Sequence, residues 1–289
     1  MKLSEVFKTN KPTLSFEVFP PKTTDAFDSV KEATEGIAAL KPDFMSVTYG
    51  AGGGTSRYTV SVAENIQNKY NVPTLAHLTC VSSTKQQINQ MLDTLKANNI
   101  ENILALRGDI PEGYEKNGSW SFDHASQLVQ YIRSKGDFDF CIGGACYPEG
   151  HPESPNQKQD ILYLKEKCNA GCDFLTTQMF FDNNILYNFL YKVRDAGITV
   201  PVCAGIMPVT NGKQISRICS LSGTLLPGRF KQIVDKFSDN PAAMKQAGIA
   251  YATEQIIDLL ANGVNHIHVY SMNKPDIAQK IRENLSQIL

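Results

Sequence analysis

The sequence lacks any run of the roughly 18 apolar residues that a membrane-spanning helix needs, which argues against a bilayer-embedded protein. It also lacks an excess of charge: 28 Lys and Arg face 29 Asp and Glu, a formal net of -1. Steering toward nucleic acid or an anionic membrane surface normally needs a basic excess, so neither is expected as a partner. The opening residues Met1 to Lys8 carry charges and no apolar stretch, which predicts no secretory signal. No C-x-x-C pair occurs among Cys80, Cys141, Cys146, Cys168, Cys172, Cys203 and Cys219, which argues against a zinc ribbon or a thioredoxin-type site. An odd number of cysteines in a large chain, mostly beside apolar runs, predicts reduced thiols and a cytoplasmic location. Cys168 and Cys172 share a helix face, for which packing is a simpler account than metal binding. H-x-x-x-H, G-x-S-x-G and G-x-G-x-x-G are all missing, and no strand core ends in lysine. Helical zinc sites, a nucleophile elbow, a Rossmann dinucleotide site and a Schiff-base aldolase therefore lose their usual signals.

What is present is alternation within an ordinary globular composition, 42% hydrophobic and 20% charged. Short β-rich runs predict strands over Thr13–Phe19, Phe44–Thr48, Thr74–Leu78, Asn102–Leu106, Phe140–Ala145, Phe174–Gln178, Val200–Gly205 and His266–Tyr270. Helical periodicity fills the intervals: Asp25–Leu40, Arg57–Lys69, Thr84–Asn98, His124–Lys135, Pro155–Ala170, Asp182–Asp195, Lys213–Ser220 and Lys274–Leu289. Thr84 and Asp182 suit N-caps, and Gly171 and Gly197 stand where helices should stop. Dividing 289 residues by eight gives 36 per unit, the size of one βα repeat. The expected fold is α/β, a (β/α)8 TIM barrel in one domain over 1–289. Two extra helices are expected in 221–261, one starting at Asp239-Asn240-Pro241. An open doubly wound sheet would want a phosphate loop after its first strand, and Pro20-Pro21-Lys22 cannot be one.

In such barrels the chemistry sits at the carboxyl ends of the strands. Those ends carry Glu17, Thr48-Tyr49, His77 and Thr79, Arg107-Gly108-Asp109, Tyr147 and His151, Gln178, and Tyr270 with Lys274 beyond. Polar groups converging from so many strands argue for a site. Glu17 stands between Phe16 and Val18, which predicts a raised pKa and a protonated general acid. Arg107 and Asp109 read either as an ion pair or as a clamp for a polar ring. The glycine run 50–54 requires a sharp turn or a close approach. The segment 110–123, with Tyr114, Trp120 and Phe122, reads equally as a lid or as packing on the helices. His266 and His268, on the eighth strand, are expected to be structural.

Several segments resemble the methylenetetrahydrofolate reductases and follow that family's order. They are Ser15-Phe16-Glu17-Val18-Phe19-Pro20-Pro21-Lys22, Ser46-Val47-Thr48-Tyr49-Gly50-Ala51, Ala76-His77-Leu78-Thr79-Cys80, Ala105-Leu106-Arg107-Gly108-Asp109, Tyr147-Pro148-Glu149-Gly150-His151-Pro152-Glu153 and Thr177-Gln178-Met179-Phe180-Phe181-Asp182. The resemblance implies a barrel holding FAD that NADH or NADPH reduces, followed by ping-pong hydride transfer to 5,10-methylenetetrahydrofolate. The product is 5-methyltetrahydrofolate, for methionine synthesis. It implies Glu17 as the acid that opens the folate ring and Asp109 as the charge beside the resulting cation. Gln178, Gln214 and Lys274, with Glu17 and Asp109, would contact folate. Thr48 would contact the nicotinamide nucleotide. Tyr49, Ala51, His77, Arg107, Gly108, Asp109, Ala125, Tyr147, His151, Asp160 and Lys167 would contact the flavin. Departures from the family pattern fall at Tyr163, Glu166 and Lys274. No metal is implied, and a homo-oligomer is. The rival class is a folate-binding barrel that has lost its flavin. The retained Arg107-Gly108-Asp109, Tyr147, His151 and Lys167 count against it.

Overall fold

The computed structural model describes residues 1–9, 11–21, 23–49, 56–110 and 120–289. Eight parallel strands close into a barrel in sequence order. They are β1 (Thr13–Val18), β2 (Phe44–Val47), β3 (Thr74–Thr79), β4 (Asn102–Leu106), β5 (Cys141–Cys146), β6 (Phe174–Thr177), β7 (Val202–Ile206) and β8 (His266–Tyr270). Closure comes from β8 against β1, with Ser15 opposite His268 and Glu17 opposite Tyr270. The helices are α1 (Leu3–Val6), α2 (Phe27–Ala38), α3 (Ser56–Tyr70), α4 (Lys85–Ala97), α5 (Ala125–Ser134), α6 (Gln157–Asn169), α7 (Asn183–Asp195), α8 (Gly212–Ser222), α9 (Gly228–Phe237), α10 (Pro241–Ala261) and α11 (Pro275–Asn284).

The expected barrel is therefore the observed one, including the extra pair α9 and α10 before the last strand. Local chemistry sets its boundaries. Thr84 and Gln87 form a capping box at α4, and the Asp182 side chain accepts from the Asn184 amide at α7. Asn240 caps α10, with Pro241 in its first turn.

Successive side chains on a strand point to opposite faces. Leu14, Phe16 and Val18 of β1 turn outward, into the large cluster shared with Ile37, Ile66, Leu92 and Leu128 of the helices. Inward-facing Phe44, Leu75, Leu104, Cys141, Phe174 and Cys203 fill the amino-terminal end of the barrel. The Phe174 ring fits because residue 143 is glycine: a Cβ there would come within 2.4 Å of it.

The short helix α1, absent from the sequence expectations, plugs that end with Leu3 and Phe7. Phe7 packs 4.9 Å from the Phe174 ring and edge-on to Phe44 at 5.9 Å. Buried Asn102 accepts from the Leu3 amide and donates to the Met1 and Thr74 carbonyls, tying the plug to the barrel.

Candidate active site

The carboxyl ends of the strands carry the opposite chemistry. Glu17 faces the barrel axis, because its neighbours Phe16 and Val18 point the other way. Its Oε2 lies 3.6 Å from His77 Nε2 and 3.9 Å from His268 Nε2. His268 is 1% exposed. Its Nδ1 is 2.8 Å from Ser15 Oγ and its Nε2 is 3.0 Å from Ser46 Oγ.

This setting corrects the expectation of a raised Glu17 pKa. Burial pushes the carboxyl up. The polar pull of the nearby His268 ring, the attraction of His77 and His268 and the proximity of the Ser46 hydroxyl outweigh it, so the net shift is below the ordinary value. The apolar residues beside Glu17 in sequence are not beside it in space. His77 moves the other way in charge: burial lowers its pKa to about 4, leaving a neutral ring at neutral pH. Its Nε2 is buried without a hydrogen-bond partner. His268, expected to be structural, is buried with both ring nitrogens bonded to serine hydroxyls, and its ring also lies beside the candidate acid. Ser15, Ser46 and His268 all sit at positions of the same parity or register as Glu17, which is the signal that could have found them.

The second part of the site is a cavity of about 670 Å³ at the ends of β4 and β5, bounded by α5 and α6. Tyr49, Arg107, Gly108, Asp109, Ala125, Tyr147, His151, Asp160 and Lys167 line it. Tyr163 and Glu166 line it too. Gly108 has φ +86°, and a Cβ there would meet Thr79 and Val81 at 2.9 Å, so the tight strand exit requires glycine. Arg107 pairs two-pronged with Glu153, at 2.5 and 2.7 Å, rather than with Asp109. Lys167 Nζ donates to the Ala145 carbonyl. Tyr147 and His151 meet edge to face at 4.6 Å, and burial raises the first pKa and lowers the second. Ser154 donates to buried Asp160 at 2.8 Å.

Other predicted positions lie apart from that cavity. The Thr48 amide donates to the Val18 carbonyl, and its own carbonyl accepts from Thr59. The Gln178 side chain accepts from the Met179 amide. Gln214 is exposed on α8, and Lys274 reaches Thr210 Oγ1 at 3.0 Å. Ala51, the glycine run and Tyr114 fall outside the described residues. Among the described residues no cluster of His, Cys, Asp and Glu suits a metal, and no helix is long and apolar enough to cross a membrane.

The arrangement offers a cleft lined by a guanidinium, an ammonium and an aromatic pair. A carboxylate with two imidazoles stands on the barrel axis. The cleft, whose lining includes Arg107 and Lys167 beside the aromatic ring of Tyr147, fits a flavin dinucleotide, and His77 Nε2 is a buried ring nitrogen without a partner.

Comparison with known proteins agrees in kind. Residues 2–286 match the family model for methylenetetrahydrofolate reductase. The chain is 33% identical to 5,10-methylenetetrahydrofolate reductase of Escherichia coli, covering 94% of this chain and 90% of that protein. It is 38% identical to methylenetetrahydrofolate reductase (NADH) 1 of Arabidopsis thaliana over 99% of its own length but 50% of the plant protein, so it spans about half of such relatives. Among solved structures it resembles an uncharacterized Clostridium thermocellum protein that binds two copies of 5-methyl-5,6,7,8-tetrahydrofolic acid. That match has TM-score 0.64 and 15% identity, covers 99% and 98% of the two chains, and speaks to the fold alone.

Proposed function

Because the chain belongs to the methylenetetrahydrofolate reductase family, we propose that it reduces 5,10-methylenetetrahydrofolate to 5-methyltetrahydrofolate, using NADH or NADPH and barrel-bound FAD. The observation that carries this reading is the shared cleft: most of the positions that the resemblance assigns to the flavin line one cavity. The names of the bacterial and plant relatives support the folate and the nicotinamide.

Arg107 and Lys167 are the cations that would hold the diphosphate, with Gly108 leaving room for close approach. A flavin bound there supplies hydride transfer between nicotinamide and folate. The protein's own task is then acid chemistry and charge. In this reading Glu17, on the barrel axis, gives a proton to the folate ring nitrogen, and general acids typically contribute 10²–10⁴-fold. Asp109, exposed at the rim of the cleft, offers negative charge to the cation that ring opening creates.

Purification with added FAD tests the reading. The expected protein is yellow, loses its flavin absorbance with NADH or NADPH and regains it with methylenetetrahydrofolate. A colourless protein that cannot be reconstituted with FAD overturns it.

A further inference from the structure

We propose that Glu153 is a resident counter-anion: it occupies the Arg107 guanidinium until a diphosphate displaces it, and so sets how tightly the cleft takes its cofactor. The proposal rests on the reading of the cleft as a flavin site.

Arg107 Nη1 and Nη2 donate to the two carboxylate oxygens of Glu153 at 2.5 and 2.7 Å. Both residues line the cavity. Arg107 Nε is used separately, donating to the Gly108 carbonyl at 3.2 Å. The paired Nη groups form the fork that matches a carboxylate or a phosphate with two parallel hydrogen bonds. Glu153 fills that fork, so an incoming phosphate competes with it.

The surroundings favour exchange over a fixed structural pair. Arg133 and Asp173 make the contrast. Arg133 also donates to the Phe140 and Gly171 carbonyls, and Asp173 also accepts from the Ile142 amide, so both partners are tied to backbone. The Glu153 side chain is 60% exposed, and among the described residues its hydrogen bonds go to Arg107 alone. Its turn is held by other bonds. The Ser154 amide donates to the His151 carbonyl at 2.9 Å, the Glu153 amide to His151 Nδ1 at 3.1 Å, and Ser154 Oγ to Asp160 at 2.8 Å. Releasing the carboxylate leaves the turn and the Arg107 Nε bond intact and returns an exposed charge to water.

The charges of the wall point the same way. Arg107 and Lys167 face Asp109, Glu153, Asp160 and Glu166 around the cavity. A diphosphate brings more negative charge to a lining where carboxylates already outnumber cations. Moving one carboxylate off as the phosphate arrives relieves that repulsion, because one anion replaces another on the same cation.

Fluorescence titration of the flavin-free protein with FAD tests the exchange without turnover. Exposed ion pairs are worth up to about fivefold in an equilibrium constant, so Glu153→Gln should bind FAD roughly fivefold more tightly than wild type. Arg107→Ala should weaken binding, and adding Glu153→Gln to it should change the affinity by less than about twofold. Unchanged or weaker binding by Glu153→Gln overturns the proposal; weaker binding would make Glu153 a support that aims Arg107 at the flavin. A gain that persists without Arg107 overturns it too, since Glu153 would then repel the ligand without competing for the fork. Calorimetry with inorganic pyrophosphate separates the exchange from the flavin reading. A wild-type protein and a Glu153→Gln variant that both take no FAD overturn the flavin reading. Tighter pyrophosphate binding by Glu153→Gln, lost with Arg107→Ala, then still upholds the exchange, and equal pyrophosphate binding overturns it as well.

Discussion

The two ends of the barrel interior use the same faces of the same strands for opposite purposes. At the amino-terminal end Phe44, Leu75 and Phe174 pack against the Phe7 plug. Two residues further along β2, β3 and β6 the same inward face presents Ser46, His77 and Thr176, all buried. One step of the strand period thus separates an apolar floor from a polar site. The floor has no group to titrate in this set beyond Cys141 and Cys203: burial pushes the Cys141 thiol up to about 12 and the Cys203 thiol higher still, so both stay neutral. The upper layer carries a desolvation cost: Ser46 bonds to His268, whereas His77 Nε2 and Thr176 Oγ1 are buried without a partner. If this division is real, substitutions at the two ends should separate stability from activity.

The largest effect is expected at the top. Glu17→Gln should lower the folate half-reaction by about 10²–10⁴, the usual worth of a general acid, while reduction by NAD(P)H survives. Rapid-mixing kinetics of each half-reaction checks this, and persistence of both would remove Glu17 from the acid role. Next is the floor. Phe174→Ala should cost about 3–5 kcal/mol of stability, because the Gly143 notch leaves a void that no neighbour fills. Urea titration reads the loss. The surviving folded fraction should keep a near-normal kcat, and a large kcat defect would break the division.

A third test uses pH. The His77 pKa falls from 6.5 to about 4 on folding, so the unfolded chain takes up the proton first. Stability should be full above pH 6.5, decline as pH falls toward 4 and level off below. Between pH 7 and 5 this amounts to about 2 kcal/mol, at ~1.4 kcal/mol per unit. The depressed Glu17 carboxyl acts in the same sense but lower, losing its contribution as pH falls through its folded value. His77→Gln should flatten the slope between pH 7 and 5 in urea midpoints, and an equally steep variant would place the titrating group elsewhere.

The floor and the top also differ in how far the sequence exposes them. The strands are legible because each is a short β-rich run between helical stretches, and Asn102–Leu106 and His266–Tyr270 agree to the residue. Most cleft residues are legible because each ends a strand. The plug α1 is not: it has four residues, no period to detect, and becomes meaningful only when Leu3 and Phe7 meet the barrel. The electrostatics of Glu17 are misjudged from sequence because adjacency along a strand is not adjacency in space. Its partner His268 bonds to Ser15 across 253 residues of chain, a contact made by barrel closure. Glu153 as the partner of Arg107 is equally hidden, since a nearby Asp109 offers the simpler pairing.

The smallest effect is expected at the rim, beyond both layers. Asp109 is exposed and belongs to no packed layer, so Asp109→Asn should leave stability within about 0.5 kcal/mol. If its charge favours the cation formed from folate, the substitution should still slow the folate half-reaction, by roughly tenfold for ~1.4 kcal/mol of lost attraction at an exposed site. Because that attraction is screened, the wild-type advantage should shrink as salt rises, whereas the Glu17→Gln defect, which removes a proton, should not. Half-reaction kinetics of both variants at low and high salt distinguish the two kinds of carboxylate. An Asp109→Asn enzyme with unchanged folate kinetics at low salt would leave the rim outside the chemistry and confine the site to the buried layer around Glu17.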